Sequence, residues 1–220
     1  MRFGVLQFPG SCDERDALIA CDRVADATLI WHEERTLDGI DAVVVPGGFS
    51  YGDYLRAGAI ARFAPAMEAV AEFARSGGPV LGICNGFQVL CEAGLLTGAL
   101  LPNNGLRFLC RQVDLEIVSG ESVFTRGMEI GECLSVPVKH MTGRYFAPDQ
   151  TLDELEARGQ VVLRYAMGQN PNGSARDIAG IANEAGNVMG LMPHPEHAVD
   201  PLTGSADGLR LFKAMAAVAA

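Results

Sequence analysis

The sequence predicts a three-layer α/β fold, with a mostly parallel sheet covered by helices on both faces and an antiparallel extension. Three observations carry this. Short apolar runs alternate with helix-patterned stretches through the first hundred residues, which is the rhythm of βαβ units. Those runs are short and predominantly apolar, as strands buried on both faces are. After residue 105 the texture changes to strand-like segments with few helices between them. At 220 residues, 49% hydrophobic and 20% charged, the chain is long enough to bury a core without a disulfide or metal staple. With no repeat, linker or low-complexity tract, one domain over residues 1–220 is expected.

Taken in order, residues 3–8 form an apolar first strand. Ser11-Cys12-Asp13-Glu14 then matches a capping box, with Ser11 and Glu14 satisfying the free amides of a helix whose inner face holds Leu18, Cys21 and Ala25. Residues 27–31 and 41–45 are the second and third strands. Ile60, Phe63, Met67, Val70 and Ala74 repeat at helical spacing, and Pro65 splits them, opening a second helix from its first turn. Residues 79–83 are the fourth strand, and a helix over 85–93 leaves it directly. Residues 113–118, 133–138, 161–165, 178–182 and 188–192 are strands, the last two joined by a hairpin over 183–187. Residues 209–218 close the chain as a helix with Leu209, Phe212 and Ala216 inward.

Charge and cysteine content narrow the function. Lys plus Arg is 17 against 27 for Asp plus Glu, a net charge of −10. Such a chain has no basic stripe with which to hold a phosphate backbone. No apolar run approaches the ~20 residues of a membrane helix, and the first residues read as a strand, not as a signal peptide. The six cysteines Cys12, Cys21, Cys84, Cys91, Cys110 and Cys133 include no Cys-x-x-Cys pair, so free thiols, mostly in the core, and a reducing cytoplasm are expected.

The chemistry is concentrated in three places. Gly82-Ile83-Cys84-Asn85-Gly86 has the spacing of a nucleophile elbow with cysteine as nucleophile. A sharp strand-to-helix turn needs small residues two positions to either side. It would lift the Cys84 sulfur to the carboxyl end of the sheet, beside helix amides that favour an anion, with the Asn85 amide placed for a developing oxyanion. The plainer reading is a core cysteine at a strand end. Of the four histidines, His194 and His197 follow a strand in Met192-Pro193-His194-Pro195-Glu196-His197. Pro195 forces His194 into extended backbone, which puts His194 and Glu196 on one side, as a base and the acid that orients it. A charged surface loop is the alternative, and a zinc site on His194, Glu196 and His197 is weaker, because proline spoils the helix such a site uses. Third, Gly47 and Gly48 directly follow the third strand, where they let a backbone approach a ligand and offer a second oxyanion donor. No Gly-x-x-x-x-Gly-Lys-Ser/Thr or Gly-x-Gly-x-x-Gly phosphate loop occurs.

The order Cys84, His194, Glu196 after a Pro-Gly-Gly loop resembles the class I (triad-type) glutamine amidotransferases, and with them a flavodoxin-like fold. Five blocks in register, which begin at Phe8, Pro46, Gly82, Asn170 and Gly190, resemble the separate glutaminase subunits of phosphoribosylformylglycinamidine synthase over essentially the whole chain. The resemblance implies that Cys84 attacks the side-chain amide of glutamine, that His194 acts as base and then acid, and that Glu196 holds it. It makes the amides of Gly48 and Asn85 the oxyanion hole, with Gly47, Gln88 and His140 also binding glutamine. It implies no metal or cofactor in this chain. The partners would be a large synthetase subunit using ATP and Mg, and a small third subunit. One loop departs from the pattern: Met141 and Thr142 stand where a small residue and Glu are usual. Asp53, Tyr54 and Arg56 would brace a loop or face a partner. An amidotransferase of another pathway, and a non-catalytic interaction protein of the same fold, are the alternatives.

Overall fold

Strands β1 (Arg2–Gln7), β3 (Ala42–Val45) and β4 (Val80–Ile83) are buried almost end to end, which is why their sequences carry no polar alternation. The structure, a computed structural model, describes residues 1–218; Ala219 and Ala220, included in the expected domain, lie outside the described residues. The other strands are β2 (Asp26–Trp31), β5 (Ala99–Pro102), β6 (Leu109–Ile117), β7 (Cys133–His140), β8 (Thr142–Phe146), β9 (Val161–Tyr165), β10 (Ile178–Ala182) and β11 (Val188–Leu191). Nine of them form one sheet in the order β2-β1-β3-β4-β11-β10-β9-β6-β7. Pairing is parallel from β2 across to β11 and antiparallel from β11 to β7, so the predicted fold class stands. The parallel half has the flavodoxin-like strand order, whose crevices lie outside the carboxyl ends of the strands.

The helices are α1 (Glu14–Asp22), α2 (Pro65–Arg75), α3 (Asn85–Glu92), α4 (Asp149–Ala157) and α5 (Leu209–Val218). Pro65 occupies the first turn of α2, after a short 3-10 turn at Ala61–Phe63, as its fixed φ and missing N–H predict. None of the described helices is long and apolar enough to cross a membrane.

Three expectations need correction, and two elements were not foreseen. The capping box does not form: the Ser11 hydroxyl accepts from the Phe8 amide at 3.0 Å, and Glu14 accepts from Gln7 at 3.3 Å. Asp13 holds the N-cap position of α1 without capping it, because its carboxylate is engaged elsewhere. Helix α4 was not foreseen; it buries only Leu152 and Leu155 among acidic residues, too weak a stripe to read. Nor was the separate two-stranded sheet of β5 and β8. The terminal helix buries Leu211, Phe212, Ala214 and Met215, with Leu209 and Ala216 only half-buried, so its inner face is rotated from the expected one. The cysteines are all free, but Cys12, Cys110 and Cys133 are exposed and not in the core.

Candidate active site

Four parallel strands deliver the site from their carboxyl ends: β1 through Asp13, β3 through Gly47 and Gly48, β4 through Cys84, and β11 through His194 and Glu196. Cys84 is the hinge between β4 and α3. Its backbone lies at φ 50°, ψ −104°, a strained conformation for a residue with a side chain, and one that persists only where the surroundings fix it. They do: its amide donates to the Leu191 carbonyl at 2.8 Å, and its carbonyl accepts from the Gln88 amide at 3.2 Å. The flanking glycines are equally constrained. A Cβ at Gly86 would run into the Val45 carbonyl, and one at Gly82 would stand 2.9 Å from the Gly86 backbone. The elbow read from the sequence is therefore present, with the sulfur at the wall of a cavity of about 210 Å³.

Gly48, Gln88, His140 and His194 line the same cavity. Pro193 and Pro195 flank His194, whose amide donates to the Pro137 carbonyl at 2.8 Å and whose backbone lies at φ −109°, ψ 86°, short of the fully extended region expected before a proline. Its Nδ1 lies 2.6 Å from Glu196 Oε1, so the proton on Nδ1 is donated to the carboxylate and Nε2 is left free. That Nε2 is buried and has no hydrogen-bond partner among the described residues. His194 and Glu196 are 1% and 2% exposed, a burial that neither would tolerate unpaired. Burial alone would lower the proton affinity of His194; the charges of Glu196 and Cys84 outweigh it and raise the ring above its ordinary range.

The glycine loop makes room for this pair. A Cβ on Gly47 would fall on the Asp13 carboxylate and 2.9 Å from His194 Cε1. Gly48, at φ +142°, lies against the backbone of Gly10 to Cys12, and a Cβ there would stand 2.6 Å from the Cys12 amide nitrogen. Asn85 ties the next stretch to the elbow: its Oδ1 accepts from the Ser50 amide at 3.0 Å, and its Nδ2 donates to Gln88 Oε1 at 2.9 Å and Asp53 Oδ1 at 3.1 Å. Gln88 in turn donates to the Thr142 carbonyl at 2.6 Å, so its amide is braced at both ends. Asp53 is thus a loop brace, Arg56 pairs with Glu92 at 2.6 Å, and Tyr54 is exposed.

His140 is buried, with Nδ1 3.1 Å from Asn103 Oδ1 and Nε2 without a partner among the described residues. Burial, with the nearby His194, pushes its pKa down from 6.5 to about 4. The unfolded chain then takes up this proton first, so the contribution is complete above pH 6.5 and is lost as pH falls toward 4, by about 3 kcal/mol at most. The unfolding free energy of the native chain is expected to fall more steeply over that window than that of His140→Gln. Equal slopes in paired denaturant titrations would contradict this.

Two charged residues of the site escaped the sequence reading. Asp13, 4% exposed, accepts hydrogen bonds from Lys139 Nζ and, at 3.2 Å, from His197 Nε2, and its Oδ2 lies 3.7 Å from His194 Nδ1. Burial opposes its charge, but the bonds from His197 and Lys139 hold it well below the usual carboxylate range. Its position just past the end of β1 was the available signal. Asp13, His194, Glu196 and His197 bring their ligating atoms within 4.8 Å of one another, more than the zinc reading had gathered, and the cluster already holds the Lys139 ammonium.

Residues 1–214 match the family model described as the CobB/CobQ-like glutamine amidotransferase domain. A protein of Streptomyces avermitilis named phosphoribosylformylglycinamidine synthase subunit PurQ is 57% identical, with 96% of this chain and 94% of that one covered. A protein of the same name from Mycobacterium tuberculosis is 59% identical, covering 96% and 94%. Among solved structures, a chain of PurLQS from Thermotoga maritima superposes with a TM-score of 0.89 at 42% identity, covering 97% of this chain and 96% of that one.

Proposed function

Because the chain belongs to the CobB/CobQ-like glutamine amidotransferase family, we propose that it hydrolyses L-glutamine and hands the ammonia to a synthetase that makes formylglycinamidine ribonucleotide from formylglycinamide ribonucleotide. The observation that carries the chemistry is the strained Cys84 elbow opening on one cavity with a His194–Glu196 pair. The Cys84 thiol gives its proton to His194 Nε2 as its sulfur attacks the side-chain amide carbon, and the carbonyl oxygen takes the negative charge. The amides of Gly48 and Asn85 receive that oxyanion. As the C–N bond breaks, His194 gives its Nε2 proton to the departing nitrogen, which leaves as ammonia, and a γ-glutamyl thioester remains on Cys84. Water then attacks the thioester with His194 taking its proton; glutamate leaves and the thiol is regenerated. Glu196 holds the ring in the tautomer that both steps require. Gly47, Gln88 and His140 shape the glutamine pocket.

A large synthetase subunit, using ATP and Mg, and a small third subunit complete the complex in this reading, which places the chain in the cytoplasm. An apolar rim favours such a partner: Phe49, Phe108 and Met141 line the cavity and remain about half exposed, and Tyr54 and Leu55 follow Phe49 on the surface. The isolated chain is expected to hydrolyse glutamine weakly and to gain activity when the synthetase subunits are added. Full activity alone would contradict a partner-dependent site. Gly47→Ala is expected to cost about 100-fold in glutamine turnover by crowding His194 and Asp13, since displacement of a catalytic group by about 1 Å is felt on that scale. Unchanged steady-state kinetics in the folded variant would show that the loop has room the geometry denies.

A further inference from the structure

We propose that Asp13 and Lys139 form a charge pair that seats His194 and sets the electrostatic balance of the Cys84–His194 couple, acting as positioning residues beside the triad. The proposal rests on the glutaminase reading for its purpose, but not for its test.

Asp13 comes from the loop after β1 and Lys139 from β7, 126 residues later and at the far edge of the sheet. Their bond closes the antiparallel extension over the parallel half at the triad, next to the second such link, from the His194 amide to the Pro137 carbonyl. The pair has two ends with different neighbours. Asp13 Oδ2 lies 3.7 Å from His194 Nδ1, so the ring edge that donates to Glu196 faces a second carboxylate. Lys139 lines the cavity with Cys84; partial burial works against its charge, but the hydrogen bond to Asp13 and that carboxylate's charge, then the charges of Glu196 and Cys84, raise its proton affinity. A buried carboxylate paired with a part-buried ammonium stabilises little against apolar side chains of similar volume, so stability alone does not account for the pair.

The charged and titratable groups facing His194 are Glu196 and His197 from its own turn, Asp13 from the β1–α1 loop, Cys84 from the elbow, and Lys139 and His140 from β7. Glu196 fixes the ring. Asp13 adds negative charge on the same side, and Lys139 offsets it on the side of the sulfur. Removing Asp13 frees the Lys139 cation from its nearest anion in the cavity that Cys84 lines, which favours the thiolate. Removing Lys139 leaves the Asp13 carboxylate without its nearest cation, which disfavours it.

Charge reversal of effect separates this role from a structural one. The full-length chain and its Asp13→Asn, Lys139→Met and double variants are alkylated with iodoacetamide across pH, and the Cys84 peptide is followed, apart from the exposed cysteines. The half-plateau pH is expected to fall by about one unit in Asp13→Asn and to rise by about one unit in Lys139→Met. In the double variant it returns toward the native value. Shifts in the same direction, no shift, or a double variant that does not return would overturn the proposal. If Asp13→Asn does not fold, an unmoved profile in Lys139→Met overturns it alone. Alkylation needs no glutamine, so failure here is distinct from failure of glutamine to protect Cys84, which would count against the glutaminase reading itself.

Discussion

Cys84→Ala is expected to abolish glutamine hydrolysis, by on the order of 10⁴-fold or more, as removal of a nucleophile from a concerted catalytic set does. The substitution removes only the sulfur, and the strained turn is held by backbone bonds to Leu191 and Gln88 that alanine keeps. The variant is therefore expected to fold, to join the synthetase complex, and to leave synthesis from added ammonium salts intact. Two assays on one preparation, glutamine-dependent and ammonia-dependent product formation, check this. Loss of both would show that Cys84 matters for assembly and not for chemistry.

Glu196→Gln is expected to lower glutamine turnover by about 10³–10⁴-fold, the scale set by losing the carboxylate that holds a catalytic histidine. The 2.6 Å contact fixes which nitrogen of His194 carries a proton, and an amide at that position fixes it less well and bears no charge. The sign of the pH effect follows from the raised proton affinity of His194. Glu196 sustains the imidazolium, so without it the ring gives up its proton at lower pH, and the alkaline limb of the residual activity moves toward acid. Turnover of the folded variant measured against pH checks both effects. Activity within tenfold of the native chain, with the alkaline limb unmoved, would mean that Glu196 only packs beneath the ring.

Much of this was legible in the sequence because each feature obeys a local rule. Gly82 and Gly86 flank Cys84 because backbone and Leu90 atoms fill the space a Cβ would need, a constraint that follows from spacing alone. Strands β3, β4 and β11 are short and apolar because both faces are covered. What was missed depends on contacts distant along the chain. Asp13 reads as part of a capping box until Lys139, from β7, captures its carboxylate. The pairing of β5 with β8 joins residues forty or more positions apart, and neither segment signals its partner. Gln88 reads as a ligand for substrate, but the bracing of its amide by Asn85 and Thr142 depends on a loop the sequence does not place.

The central claim, that Cys84 is the nucleophile for glutamine, is tested most directly by labelling with a glutamine-like diazoketone in the presence of the synthetase partner, followed by peptide mapping. The expected result is label on Cys84 that excess glutamine prevents. Label absent from Cys84, with the partner present in the same sample, would contradict the account.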